Sequence, residues 1–491
     1  MLDLAHAGLR RLALAFGLGA VVALGQAPWG AWWAALPALS VLILLLTRTQ
    51  GAWPAFRLGL AAGFGHFALA LSWIVEPFFV DIARHGWMAP FAVVLLAGGL
   101  GLFWAVAAGL AVRLPQPALG FIATFTATEG LRGVVLTGFP WAMVGHMWIG
   151  TPVDQVAAIA GPLGLTLLTL ILAALPVLLR LGGGVAAVAL LAGVAGFGLW
   201  RLAPPLPPGP EGTLRLVQPN AEQALKWDGD LAEVFLGRLL ALTAQGTPAD
   251  LTIWPETAVP YMLEYAPSVA GMITDASGGR AVAVGIQSEA AGRFYNSLRV
   301  LEGNGRQTAA YEKHHLVPFG EYVPFGDLAY RWFGITAFAA QTGSTYSAGP
   351  GPRVLDLGRF GKVLPLICYE AVFPRLVNGA PERADWMLQI TNDAWFGLWT
   401  GPFQHLAQAR LRSVEQGLPL IRVANTGVTA VIDARGRVID ELPFGTVGAL
   451  DSTVPGALPP TAYTRWGDAP VWLALAGLAG LAIRRRAKPA H

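Results

Sequence analysis

Three short segments of the 491-residue chain carry side chains suited to chemistry rather than packing: Trp254-Pro-Glu-Thr-Ala-Val-Pro260, Tyr311-Glu-Lys-His-His-Leu-Val-Pro-Phe-Gly-Glu-Tyr-Val-Pro324 and Leu364-Pro-Leu-Ile-Cys-Tyr-Glu370. Each follows or ends a strand-like apolar run. Cys368 is the single cysteine of the chain, so it forms no intramolecular disulfide and needs another reason to be there. An apolar strand that delivers it into a polar turn puts the thiol at the carboxyl edge of a sheet, where open α/β sheets place their sites. The competing reading is a buried, inert cysteine. A free thiol is mostly protonated at neutral pH, so a nucleophilic one needs a base or a cation beside it. Glu256, fixed in direction between two prolines, is a candidate base. Lys313, one of four lysines in a chain that otherwise uses arginine, is a candidate stabiliser of a developing oxyanion. Taken singly, the two also read as a turn acid and a solvated strand-end charge. His314 and His315 suggest a metal or a Cys–His pair. As neighbours on a strand they would point to opposite faces, and no third ligand stands at a recognised spacing, so no metal site is read here.

The elements that must hold these residues divide the chain between two solvents. Hydrophobic residues make up 54% and charged residues 13%, with a mean hydropathy of +0.53, which excludes a wholly soluble protein. Residues 1–210 hold nine Arg, five acids and no Lys. A net charge of +3 without a dense basic stripe excludes nucleic acid as a partner. Apolar stretches near 9–25, 30–47, 54–75, 88–112, 118–137, 162–180 and 184–202, with another near 468–484, read as eight membrane spans. Arg10, Arg11, Arg48, Arg57, Arg113, Arg180, Arg484, Arg485, Arg486 and Lys488 then share one side, the cytoplasm, with both termini. The region between the seventh and eighth spans lies outside, in the periplasm of a Gram-negative cell. The linker Ala203-Pro-Pro-Leu-Pro-Pro-Gly-Pro210 breaks the helix. The expected organisation is a membrane domain over 1–203, a catalytic domain over 212–456, the eighth helix over 468–484 and a cytoplasmic tail over 485–491.

Within 212–456, strand patterns at 214–217, 251–254, 281–286, 297–301, 363–368, 386–391 and 420–423 alternate with helical patterns near 229–245 and 402–417, which predicts α/β layers. The last strand is expected to continue through 429–432. Turns are signalled at 303–305, 357–361 and 434–436. In the membrane domain Glu129 and Arg132, three apart on a helix, are expected to pair with each other. Unpaired, they and His66 and His146 would support a transporter or receptor with an external binding domain.

The three segments resemble the Glu-Lys-Cys triad of the nitrilase superfamily. With spans before and after, and with Gly138-Phe-Pro-Trp141 in the membrane part, the whole chain is similar to the bacterial apolipoprotein N-acyltransferase family. The resemblance implies a nitrilase-like αββα sandwich on a polytopic helical membrane domain, in the bacterial inner membrane. It makes Glu256 the general base, Lys313 the oxyanion stabiliser and Cys368 the acyl-carrying nucleophile, with Glu321, Tyr369 and Glu370 in support. Trp227 would position lipid or a lid. The implied reaction takes an acyl chain from a phospholipid onto Cys368 as a thioester and passes it to the N-terminal α-amine of a diacylglyceryl-cysteine apolipoprotein, with no cofactor. A membrane-anchored amidase is the alternative use of the same triad. Both lipid substrates require a site close to the bilayer, since each CH₂ withdrawn into water costs about 0.8 kcal/mol. Residues 325–338, apolar at 325, 328, 332, 333, 335 and 338, read as a lipid-contacting lid bearing Trp332 and Phe333.

Overall fold

The structure, a computed structural model, describes residues 2–226, 228–262, 264–324 and 345–484. Trp227, the expected lid with Trp332 and Phe333, and the tail 485–491 lie outside the described residues. The chain divides into two compact units. One comprises Met1–Pro204, Leu398–Glu415 and Pro460–His491, the other Pro205–Gly397 and Gln416–Pro459.

The second unit is built on two six-stranded sheets. Strands β1 (Leu214–Gln218), β2 (Leu251–Ile253), β3 (Ala281–Ala290), β4 (Arg293–Leu301) and β5 (Gln307–Glu312) form the first together with β12 (Gly448–Ser452), in the order β12-β1-β2-β3-β4-β5. Strands β6 (Leu355–Asp356), β7 (Lys362–Ile367), β8 (Trp386–Thr391), β9 (Leu420–Ala424), β10 (Thr429–Ile432) and β11 (Val438–Leu442) form the second, in the order β11-β10-β9-β8-β7-β6. Each sheet has three parallel strands at its centre, β1-β2-β3 and β7-β8-β9, and antiparallel strands outside them. β1 lies against β9 and β4 against β7, so the sheets face each other as the middle layers of the expected sandwich. Parallel strands covered on both faces have no polar side, which is why β7 and β8 read as nearly unbroken apolar runs. Pro365 is tolerated inside β7 because β6 pairs only with Lys362 and Val363, leaving the rest of that edge without a β6 partner. Helices Gly229–Thr243 and Pro267–Ala276 bury Leu236, Leu239 and Ile273 against Val217, Trp254 and Val284 of the first sheet.

Two expectations are corrected. Residues 429–432 do not continue β9: the chain reverses over 425–428, and β10 runs antiparallel to β9 with Ala430 opposite Arg422. Gly427 permits the reversal, since a Cβ there would stand 2.2 Å from Asp393 Oδ2. His314 and His315 lie beyond the end of β5 at Glu312, so strand alternation does not govern them.

In the first unit, helices Leu2–Ala23, Trp32–Thr47, Ala52–Ala70, Ala89–Ala111, Pro117–Arg132, Ala157–Leu179, Leu181–Leu202 and Ala469–Ile483 fall on the eight apolar stretches. By length and composition, three described stretches suffice to cross a membrane: Ile82–Ala111, Pro152–Leu179 and Gly182–Leu202. The bent pair Ala52–Ala70 and Ser72–Phe79 makes a fourth if it is one span. Trp32–Thr47 and Ala469–Ile483, of 16 and 15 residues, are shorter than the roughly 20 residues a straight crossing takes. Close approach replaces the hydrophobic drive that lipid removes: a Cβ at Gly19 would lie 1.9 Å from the Ala62 carbonyl oxygen, and one at Gly65 would lie 2.1 Å from that of Phe16.

Glu129 and Arg132 do pair, Nη2 to Oε2 at 2.7 Å and Nε to Oε1 at 3.1 Å, and both are buried. Their neighbourhood explains why. After Arg132 the chain leaves the helix, with positive φ at Leu136, Gly138 and Ala142, and its carbonyls need donors in apolar surroundings. Arg132 Nη1 donates to the carbonyls of Phe139 and Trp141, His66 Nε2 to Ala142 and Gln26 Nε2 to Met143. Trp141 Nε1 in turn donates to Gln404 Oε1 at 2.7 Å, and Gln404 Nε2 to the Ala70 carbonyl at 3.0 Å. Arg132→Met therefore strands a buried carboxylate and two carbonyls. It should remove about 3–5 kcal/mol of stability, read as a lowered unfolding midpoint of the purified protein in detergent; an unchanged midpoint would contradict this account.

Candidate active site

The carboxyl ends of the parallel strands deliver the functional side chains. Glu256 follows β2, Cys368 follows β7 and Asn392 follows β8, while Lys313 is the first residue after β5. Cys368 enters a turn of 3₁₀ helix with φ of 51°, a left-handed conformation that costs a side-chain-bearing residue about 1–2 kcal/mol and persists only where its surroundings impose it. Gln389 Nε2 holds the Cys368 carbonyl at 3.1 Å, and Arg422 Nη1 fixes Gln389 Oε1 at 2.6 Å.

Lys313 is 1% exposed. Its Nζ lies 2.9 Å from Glu321 Oε1 and 3.4 Å from Glu256 Oε1. Burial works against its charge, but Glu321, then Glu256, outweigh it and hold the ammonium above the usual lysine range. Each carboxylate collects further donors. Asn296 Nδ2 reaches Glu256 Oε1 at 2.7 Å and Glu321 Oε1 at 3.0 Å. The Asn392 backbone N–H meets Glu256 Oε2 at 2.8 Å, and that of Val317 meets Glu321 Oε2 at 2.9 Å. The Cys368 thiol is pushed well above the usual cysteine range, first by burial and then by the Glu256 charge, against the pull of Lys313 and a hydrogen bond with Thr391. At rest it is a thiol. Glu256 and Asp393 are the carboxylates whose charge reaches it.

Glu370, fully buried, braces the segments that carry Lys313 and Cys368 against each other. It accepts from the backbone N–H of Ile367, just before the cysteine, at 2.8 Å, and from those of His314 and His315, just after the lysine, at 2.9 and 3.2 Å. Tyr311 Oη and the His314 ring complete its shell. Burial opposes its charge, yet the His314 contact and these backbone donors hold its carboxyl below the usual range. Tyr369 packs edge-on against Phe373 at 4.8 Å, and His315 lies tilted against Phe373 with ring centroids 4.1 Å apart. Burial pushes His315 down to about 4, with Glu370 opposing, so it is a neutral member of an aromatic cage. Among the described residues no group of three or more His, Cys, Asp or Glu side chains is arranged to hold a metal ion.

Asn296, Gln389, Thr391, Asn392 and Arg422 are site residues that the sequence reading missed. One signal was available: Asn296 interrupts the otherwise strand-forming Phe294–Leu301 at its middle, and a buried amide needs partners. Arg422 and Asn392 carry none, since their strands look apolar without them. Glu370→Gln keeps the volume but turns N–H groups toward backbone donors. It should cost about 1–3 kcal/mol for each donor left unmatched, visible as a lower thermal midpoint than that of the parent protein.

Residues 18–175 match the family model described as apolipoprotein N-acyltransferase N-terminal domain, and residues 213–461 match that of carbon-nitrogen hydrolase. The chain is 40% identical to a curated apolipoprotein N-acyltransferase of Caulobacter vibrioides, covering 96% of this chain and 94% of that protein. It is 37% identical to the one of Sinorhizobium fredii, over 92% and 91% of the two chains, and 38% identical to that of Brucella melitensis, over 95% and 93%.

Proposed function

The chain belongs to the apolipoprotein N-acyltransferase family, and on that premise we propose how its residues divide the work. The enzyme is an N-acyltransferase of lipoprotein biosynthesis. It moves an acyl chain from a phospholipid, through a cysteine thioester, to the N-terminal α-amine of a diacylglyceryl-cysteine lipoprotein.

In the first half-reaction Glu256 takes the Cys368 proton as the sulfur attacks the ester carbonyl. The tetrahedral oxyanion forms beside Lys313 Nζ. Its collapse breaks the bond to the glycerol oxygen, which leaves as the lysophospholipid hydroxyl with the proton returned by Glu256. In the second half the acceptor amine attacks the thioester, Glu256 collects the amine proton, and the thiol is regenerated. Glu321 keeps Lys313 charged between turnovers, and Glu370 and Tyr369 hold the cysteine turn. The observation that carries this assignment is Lys313 Nζ lying between the Glu256 and Glu321 carboxylates, with Cys368 in electrostatic reach of both Lys313 and Glu256. The soluble-amidase use of the triad has no need of the apolar unit. The transporter reading loses its main support because Glu129 and Arg132 serve each other and the 139–141 carbonyls.

Cys368→Ala should abolish transfer without unfolding the protein. Glu256→Gln and Lys313→Met should each slow thioester formation by at least about 10²-fold. Transfer is read with a diacylated lipopeptide as acceptor, and thioester formation by intact-mass analysis of the full-length protein incubated with phospholipid and no acceptor. Rapid acylation of Glu256→Gln would move the base to another residue, Glu321 first.

The finer placement belongs to the same proposal: eight spans in the inner membrane, both termini in the cytoplasm, the 212–456 domain in the periplasm, and Trp227, Trp332 and Phe333 contacting lipid at the site. The loops rich in arginine carry the orientation argument. Because the chain has one cysteine, Cys368→Ala provides a cysteine-free background. A cysteine placed at Gly246 in that background should react with impermeant thiol reagents once the outer membrane is made permeable, and one placed between Arg48 and Arg57 should not. The opposite labelling would put the catalytic unit in the cytoplasm.

A further inference from the structure

One buried charge grips the catalytic base from behind and has no part in the reaction as written above. Lys226 lies in the loop after β1 and is 5% exposed. Its Nζ donates to the Glu256 carbonyl at 3.2 Å and meets Thr257 Oγ1 at 3.0 Å. Thr257 has a φ of 44°, unusual for a β-branched residue and in need of outside restraint. On its other side the same turn is pressed onto β3. A Cβ at Gly285 would stand 2.2 Å from the Pro255 carbonyl oxygen, and the Ala258 N–H donates to the Gly285 carbonyl at 2.8 Å.

The loop that carries Lys226 is itself tied to the site. The Ala221 N–H donates to Asn425 Oδ1 at 2.9 Å, Asn425 Nδ2 to Asn392 Oδ1 at 2.9 Å and Asn392 Nδ2 to Gln223 Oε1 at 2.6 Å. Asn392 is also the residue whose backbone N–H holds the Glu256 carboxylate. One network therefore restrains Glu256 at both its carbonyl and its carboxylate.

We propose that Lys226 is a positioning residue for the general base: its ammonium fixes the Glu256 turn through the Glu256 carbonyl and Thr257 Oγ1, and it places a second positive charge beside Glu256 while Lys313 is shared with Glu321 and the oxyanion. The inference rests on the reading of Glu256 as the base. Among the described residues the charged and titratable groups around Glu256 are Lys226, Lys313, Glu321, Cys368 and Tyr346, with the neutral Asn296 and the Asn392 N–H beside them. Burial pushes the Lys226 ammonium down to about 8, with Glu256 opposing, so it is charged at neutral pH. Lys313 then stands at the Glu256 carboxylate and Lys226 at the Glu256 carbonyl. Removing a nearby positive charge favours a protonated acid. The acidic limb of the acylation rate must then move to higher pH.

The test uses the full-length protein in detergent micelles with dipalmitoyl phosphatidylethanolamine and no acceptor, following the Cys368 thioester by intact mass across pH. Lys226→Gln keeps a hydrogen-bond donor without the charge, and Lys226→Arg keeps the charge. We expect Lys226→Gln to move the acidic limb up by about one pH unit and to slow acylation at neutral pH about 10-fold, whereas Lys226→Arg leaves the limb in place. An unmoved limb in Lys226→Gln, or an equal shift in Lys226→Arg, overturns the proposal. If Lys226→Gln does not fold, Lys226→Met takes its place: a limb moved up supports the role of charge, and an unmoved limb overturns it. A wild-type protein that forms no thioester on Cys368 would instead refute the triad assignment, leaving the two failures distinct.

Discussion

The catalytic unit depends on a buried ammonium. Taking Lys313 out of water costs several kcal/mol that only close opposite charge can offset, and the structure supplies two carboxylates for it. Those carboxylates are buried too and incur the same penalty, so the requirement spreads outward. Asn296 on β4, the Asn392 N–H at the end of β8 and the Val317 N–H in the loop after β5 all donate inward. The arrangement suits catalysis because the groups that meet developing charge are already oriented and need not reorganise.

A second constraint acts on Cys368. Burial keeps it protonated, which protects a lone thiol from oxidation and from idle reaction. The left-handed turn that presents it is held by Gln389 from below and by Glu370 from the side. Glu370 links the segment after β5 in one sheet to the end of β7 in the other, so the spacing between lysine and cysteine is set by a carboxylate that takes no part in the chemistry.

Much of this was legible in the sequence, and the reasons differ by element. Cys368, Glu256 and Lys313 stand at the ends of apolar runs whose composition marks them as central strands, so position and chemistry could be read together. β5 and β12 could not be seen. Gln307–Glu312 has one fully buried side chain and Gly448–Ser452 has none, because edge strands need pairing partners more than an apolar face. The reversal between β9 and β10 escaped because Asn-Thr-Gly lies inside an otherwise continuous apolar run. The apolar helices were visible as hydropathy, but the short ones lack the length that identifies a crossing by itself. Arg422 and Asn392 answer to partners distant in sequence, and no local pattern announces them.

Residues 398–415 are grouped with the apolar unit although they lie between β8 and β9. The two neighbouring central strands of the second sheet are therefore joined through a segment that the other unit claims. The first sheet closes late as well, since β12 supplies Asp451 to Arg215, 236 positions away. Synthesis from the amino terminus must then produce β1 through β8, with Glu256, Lys313 and Cys368 among them, while both sheets still have open edges that invite pairing with other chains. Catalytic competence becomes a property of the finished polypeptide, and a nascent chain holds its reactive thiol in an unclosed sandwich until the final quarter has emerged.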